Sequence, residues 1–163
     1  MIVRPATPAD LPALTSLYND LGVATTASYD LAPVSETERA DWLSVHTDHG
    51  WPVLVALDAG EVIGYAAYGA FRPKAGYAHT VEHSVYVRDP NRGAGRALMD
   101  ALIAIAREQG VHAMVCLVDA ENTASIAFHE HLGFATVGTL PEVGRKFDRW
   151  LDLVIQVKLL PTA

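Results

Sequence analysis

Two rhythms of apolar residues divide the chain. Leu11, Leu14, Tyr18 and Leu21 recur every three to four positions and predict a first helix. Thr7 and Pro8 precede it as N-cap and first-turn residue, and Gly22 supplies a stop. Residues 35–46 read as a second helix, with Ser35 and Glu38 spaced as a capping box. The clearest helix begins at Gly95, presents Ala97, Leu98, Ala101, Leu102 and Ile105 on one face, and ends at Gly110. A short fourth helix is expected over T-A-S-I-A-F-H-E-H-L.

Between these lie strand-like runs. I-V-R opens the chain, W-P-V-L-V-A-L-D and E-V-I-G-Y-A-A-Y-G-A-F flank an Ala-Gly hairpin signal, and T-V-E-H-S-V-Y-V follows a loop. V-H-A-M-V-C-L-V, F-A-T-V-G-T-L and W-L-D-L-V-I-Q-V-K-L complete the set. The order β-α-α-β-β-β-α-β-α-β-β contains no repeat or linker and predicts one mixed α/β domain over residues 1–163. Its central strand–helix–strand unit implies a parallel pair with a right-handed crossover.

Composition narrows the partners. The 163 residues are 50% hydrophobic, enough to bury a core unaided. The formal net charge of -7 argues against general nucleic-acid binding, which relies on basic surface. The start of the chain lacks a signal-peptide pattern, and no apolar run approaches the roughly 18 residues of a membrane span. The single cysteine, Cys116, lies in an apolar run and reads as a buried core residue. The expected setting is a reducing cytoplasm.

Any anionic ligand must then be met locally, and one stretch is suited to that. Arg92-Gly93-Ala94-Gly95-Arg96-Ala97 sits where a strand ends and the best helix begins, so free N–H groups and the positive dipole end face a ligand. It is not a Walker loop, for no Gly-Lys-Ser/Thr is present. A dinucleotide fingerprint fails at Leu98, where a third Gly is needed.

The motif R-x-x-G-x-A, with E-N-T-A-S-I-A-F-H-E-H-L-G-F downstream and V-E-H-S-V-Y-V upstream, resembles the GNAT superfamily of N-acetyltransferases. F-R-P-K-A-G-Y-A-H-T-V-E-H-S-V-Y-V and G-R-K-F-D-R-W-L-D-L are similar to the branch that acetylates phosphinothricin and methionine sulfoximine. The resemblance implies the acyl-CoA N-acyltransferase fold: a mixed sheet of about seven strands, a splayed parallel pair, and about four helices. It implies acetyl-CoA as cosubstrate, a small amino-acid acceptor, no metal, and a homodimer built through the last strands.

It also suggests roles. Arg92 to Ala97 would hold the pyrophosphate, chiefly by backbone amides. Val85, Tyr86 and Val87 would pair with the pantetheine arm, with an N–H near Val85 polarising the thioester, and Asn122 would meet the cofactor near its reactive end. Glu82 is the candidate base. The gap between an ordinary Glu and an α-amine is roughly 3.4 pKa units, or about 4.6 kcal/mol, so Glu82 needs a raised pKa or an intervening water. His129 stands where many relatives carry a proton-donating Tyr, and acid catalysis or a packing role are both open to it. His83, by period-two alternation, should face away from Glu82. Arg72 is the candidate for the acceptor's carboxylate, Lys74 a second, and Tyr29, Phe71 and Trp150 candidate pocket walls. Seven histidines offer no helical H-x-x-x-H with a carboxylate partner and no paired Cys, so a metal is not expected. Acetylation of another small amine or of a protein N-terminus, and a non-catalytic acyl-CoA sensor, are the alternatives.

Overall fold

A computed structural model describes residues 1–161. A seven-stranded sheet runs in the order β1-β2-β3-β4-β5-β7-β6. Its strands are β1 (Ile2–Pro5), β2 (Val53–Asp58), β3 (Glu61–Ala70), β4 (Thr80–Val87), β5 (Ala113–Asp119), β6 (Ala135–Lys146) and β7 (Arg149–Leu159). The helices are α1 (Leu11–Tyr18), α2 (Glu36–Asp48), α3 (Ala94–Glu108) and α4 (Thr123–His131). Only β4 and β5 run parallel; every other pair is antiparallel. The mixed sheet, the parallel pair and the four helices match the expected fold.

Local chemistry explains the boundaries. Ser35 Oγ accepts from Glu38 N–H at 3.1 Å and Glu38 Oε2 from Ser35 N–H at 2.7 Å, the reciprocal box that starts α2. The β2–β3 turn holds Ala59 and Gly60 at φ 49° and 86°, a primed turn suited to the twist of a hairpin. Strand β6 is longer than its apolar alternation suggests, reaching Lys146 through two register shifts. Gly138, Pro141 and Gly144 interrupt the alternation there, and an edge strand tolerates them because one side needs no partner.

The two faces of the sheet carry separate cores. One packs Leu14, Leu17 and Leu43 of α1 and α2 on Val53, Val55 and Tyr65. The other packs α3 on Ala66, Met114 and Cys116. The buried stripe of α3 is Ala94, Gly95, Leu98, Met99, Leu102, Ile103 and Ala106. It is rotated from the expected face, so Ala97, Ala101 and Ile105 fall on the half-buried flank. Met99 and Ile103 reach the sheet instead.

The parallel pair is short. Pairing runs only from Thr80–Ala113 to Glu82–Val115, and beyond it β4 and β5 diverge. This opening positions the site.

Candidate active site

The opening is a consequence of backbone phase. Arg88 N–H donates to Ile63 O at 2.9 Å and Phe71 N–H to Thr80 O at 3.3 Å, so the even-numbered residues of β4 turn their backbone groups to β3. Val85 and Val87 therefore present theirs toward β5, where pairing has already ended. An extended ligand can complete the ladder there.

At the wide end of the splay, Gly93 adopts φ 75° and caps α3 without any side-chain hydrogen bond. The first-turn N–H groups of α3 are thus left for an anion. Gly95 lies so close to Phe128 that a Cβ there would meet its ring at 3.3 Å. Arg92 is drawn to Asp58 at 2.8 Å and Arg96 to Asp100 at 2.8 Å. Both guanidinium charges are already matched, which leaves the backbone as the principal anion-binding element. A cleft of about 890 Å³ runs from this loop along β4, walled by Val85, Val87, Gly93, Gly95, Asn122 and Phe128 among others.

A smaller, more polar cavity of about 230 Å³ continues from the cleft and shares Val85, Tyr86 and Asn122 with it. Glu82, His83, Cys116 and His129 line it. Glu82 is half-buried, and that burial raises its pKa above the usual carboxylate value while the charge of Arg72 pulls the other way. His129 is buried at the end of α4, with Nδ1 2.7 Å from Ser125 O. A carbonyl can only accept, so Nδ1 carries the proton and the buried Nε2 offers a lone pair. Burial lowers the pKa of His129, so the ring is neutral near pH 7. His83 points to the opposite face from Glu82, its ring 5.0 Å from His129 and 5.3 Å from Phe134. Burial pushes the Cys116 thiol up to about 12, which removes it as a nucleophile at neutral pH.

The expected site residues are only partly gathered here. Val85, Tyr86, Val87, Gly93, Gly95, Arg96 and Asn122 reach the cleft, and Glu82 and His129 the inner cavity. Arg92, Ala94 and Ala97 do not line the cleft: Ala94 is fully buried, and Ala97 N–H already donates to Gly93 O at 3.1 Å. Arg72 and Lys74 stand exposed outside the cavity walls, with Arg72 stacked 4.5 Å from the Phe71 ring. Tyr29 is no cavity wall: its hydroxyl donates to Asp119 Oδ1 at 3.1 Å, tying the α1–α2 loop to the end of β5. Trp150 is exposed on the edge hairpin under Arg145.

Sequence reasoning missed the fastening of that loop, which roofs the cleft with Thr25, Thr26 and Ala27 and the inner cavity with Ala27 and Ser28. Thr26 Oγ1 donates to Asp119 Oδ2 at 2.8 Å, and Lys146 Nζ reaches the carbonyls of Thr25 and Ser28. An acidic residue closing the apolar run of β5 was the available signal for Asp119; Lys146 had none.

Known proteins share this sequence and fold. The family model described as "Acetyltransferase (GNAT) domain" matches residues 3–155. An L-methionine sulfoximine/L-methionine sulfone acetyltransferase of Pseudomonas aeruginosa is 49% identical, over 98% of this chain and 95% of its own. A ribosomal-protein-alanine N-acetyltransferase from Brucella melitensis superposes with a TM-score of 0.95 at 47% identity, covering 98% of this chain and all of that one. A phosphinothricin acetyltransferase from Sinorhizobium meliloti, solved in complex with acetyl-CoA, gives 0.93 at 36% identity over 98% and 88% of the two chains. With the domain matched almost end to end around an open parallel pair and an amide-lined helix start, this chain belongs to the GNAT family of acetyltransferases.

Proposed function

We propose that the protein transfers the acetyl group of acetyl-CoA to the α-amine of a small amino-acid-like acceptor, of the methionine sulfoximine, methionine sulfone or phosphinothricin kind. The observation that carries this reading is the continuity of the two cavities. An anion-binding helix start, unpaired strand N–H groups and a half-buried carboxylate follow one another along the splay. The names of the relatives support the acceptor class.

The free amides of Gly93 to Arg96 hold the pyrophosphate, and the pantetheine arm adds to β4 beside Val85 and Val87. The N–H of Val85 polarises the thioester carbonyl and stabilises the oxyanion of the tetrahedral adduct; one such donor contributes on the order of 10²–10³ in rate elsewhere. Glu82, with its raised pKa, takes the ammonium proton directly or through a water, and the free amine attacks. The N–C bond forms to give the tetrahedral adduct, and the C–S bond breaks as that adduct collapses. His129 begins neutral, so it carries no spare proton for sulfur. It accepts the adduct's second N–H proton at Nε2 and passes it to the departing thiolate. Arg72, whose charge is felt at Glu82, receives the acceptor's carboxylate at the cavity mouth.

Detoxification of glutamate-like inhibitors in the cytoplasm, and with it herbicide resistance, fits that chemistry. Among the described residues, no helix is long and apolar enough to cross a membrane. The edge hairpin β6–β7 exposes Val137, Leu140, Val143, Phe147 and Trp150, an apolar margin that suits homodimerisation. The deciding experiment measures acetyl-CoA consumption against methionine sulfoximine, phosphinothricin, a polyamine and a peptide with N-terminal alanine. Preference for the first two is expected. Turnover of the peptide or the polyamine alone rejects the acceptor assignment, and no turnover at all supports the sensor alternative.

A further inference from the structure

The inner cavity holds a cluster of which acetyl transfer uses His129 alone. His83 of β4, Cys116 of β5 and His129 of α4 each bring a ligand atom within 4.8 Å of the others, and all three are buried. Spacings of 33 and 13 residues hide the group from any motif search. We propose that His83, Cys116 and His129 form a three-ligand site for a soft divalent cation of the zinc class, and that an ion held there switches the acetyltransferase off.

The ligands are prepared for this. The bond from His129 Nδ1–H to Ser125 O at 2.7 Å fixes the tautomer and aims the Nε2 lone pair inward, the outer-shell arrangement that metal-binding histidines use. Among the described residues, His129 Nε2 and both ring nitrogens of His83 are buried without a hydrogen-bond partner. A neutral imidazole left so is unfavourable, and an ion would satisfy one lone pair on each ring. Cys116 supplies the soft third ligand, its proton leaving to solvent as the S–metal bond forms. Two imidazoles and a thiolate supply the N and S ligand types that zinc takes, with a fourth position left open. Tetrahedral bond lengths call for ligand atoms about 3.5 Å apart, so the widest pair must close by roughly 1 Å, within reach of side-chain rotation.

The position gives the consequence. The three residues line the cavity together with Val85 and Asn122, where the thioester lies in the reading of function above, on which the switching rests. A bound ion and its outer ligand exclude the acetyl end of the cosubstrate.

Titration of the purified protein with Co²⁺ reads the site without catalysis. The expected result is a near-ultraviolet thiolate charge-transfer band with tetrahedral visible bands, saturating at one ion per chain. Cys116 is the single cysteine, so no other residue can produce that band. In parallel, Zn²⁺ should inhibit acetyl-CoA consumption reversibly to EDTA and in competition with acetyl-CoA. Cys116→Ala, with Cys116→Ser as the volume-preserving control, should keep basal turnover, lose the band, and weaken Zn²⁺ inhibition at least tenfold. A folded wild type with no band overturns the site; a band without inhibition, or equal inhibition of both variants, overturns the switch. A band in a protein that acetylates no amine would instead overturn the proposed function and leave the site standing.

Discussion

Lys146 reaches from the edge strand into the protein and donates to two carbonyls of the α1–α2 loop, Thr25 at 2.6 Å and Ser28 at 2.7 Å. It is only 4% exposed, and burial lowers its pKa from the ordinary lysine value. The same loop roofs the cleft with Thr25 and Thr26. Lys146 is therefore a positioning residue. Lys146→Met should cost about 1–3 kcal/mol, or roughly 3–10 °C in Tm, because two carbonyls lose their donor. It should also raise KM for acetyl-CoA several-fold with a smaller change in kcat. Steady-state kinetics together with a thermal melt check this; an altered Tm with unchanged KM rejects the positioning role.

The base assignment makes a sharper demand. Glu82→Gln keeps the volume and polarity of a half-buried side chain but cannot accept the ammonium proton. The expected outcome is a fall in kcat of about 10²–10⁴ with KM for acetyl-CoA nearly unchanged. Turnover within a few-fold of wild type removes Glu82 from the chemistry.

The pyrophosphate loop can be dissected because its charges are matched on the protein. Arg92 pairs with Asp58, so Arg92→Ala should raise KM for acetyl-CoA by less than about threefold. Gly93 holds φ 75° at the start of α3, a conformation an L side chain adopts at a cost of about 1–2 kcal/mol. Gly93→Ala should therefore raise the same KM by about tenfold or more. The reverse ranking, measured with acetyl-CoA as the varied substrate, would assign the phosphates to the guanidinium.

Much of the site was legible because its chemistry is local in sequence. The strand, the glycine-bearing loop and the helix that follows occupy Thr80 to Glu108 without interruption, and the capping box of α2 needed only Ser35 and Glu38. What was not legible depends on distance along the chain. Asp119 meets Thr26 and Tyr29 across about ninety residues, and Lys146 meets Thr25 across 121. No periodicity encodes such pairs. The ring of Tyr29 suits a pocket wall or an anchor equally well in sequence, and its bond to Asp119 makes it an anchor. The stripe of α3 was misplaced because Ala is equally at home on a flank or in a core.

At the other end of the sheet, Asp10 predicts a dependence of stability on pH. Its carboxylate accepts from Arg4 at 2.8 and 2.9 Å and from Thr7 N–H at 2.7 Å, joining β1 to the start of α1. The Arg4 hydrogen bonds, aided by Thr7, lower its pKa from 3.8 to about 2. A depressed folded-state pKa stabilises above the unfolded value and is lost as pH falls through the folded one, here between about 4 and 2. Arg4 is partly exposed, so screening trims the contribution to about 1–2 kcal/mol. Urea midpoints for wild type and Asp10→Asn should differ steadily from pH 7 to 4 and converge below. A gap that persists at pH 3 and under would show that shape, not charge, holds this corner.

Substrate selection gives the most specific expectation. Arg72 stacks on Phe71, and its charge lowers the pKa of Glu82 against the effect of burial. A guanidinium whose charge is felt at the base can pair with the carboxylate of an amino acid whose α-amine faces Glu82, since the two groups are separated by one carbon. Loss of a charge-assisted pair of this kind costs about 1.5–3 kcal/mol, which is roughly 10–150-fold in kcat/KM. Arg72→Ala should therefore raise KM for methionine sulfoximine by that order and leave the corresponding decarboxylated amine unaffected. The comparison removes any general disturbance of the pocket, because both acceptors meet the same walls. Equal losses on the two acceptors would take the carboxylate away from Arg72 and leave its charge acting on Glu82 alone.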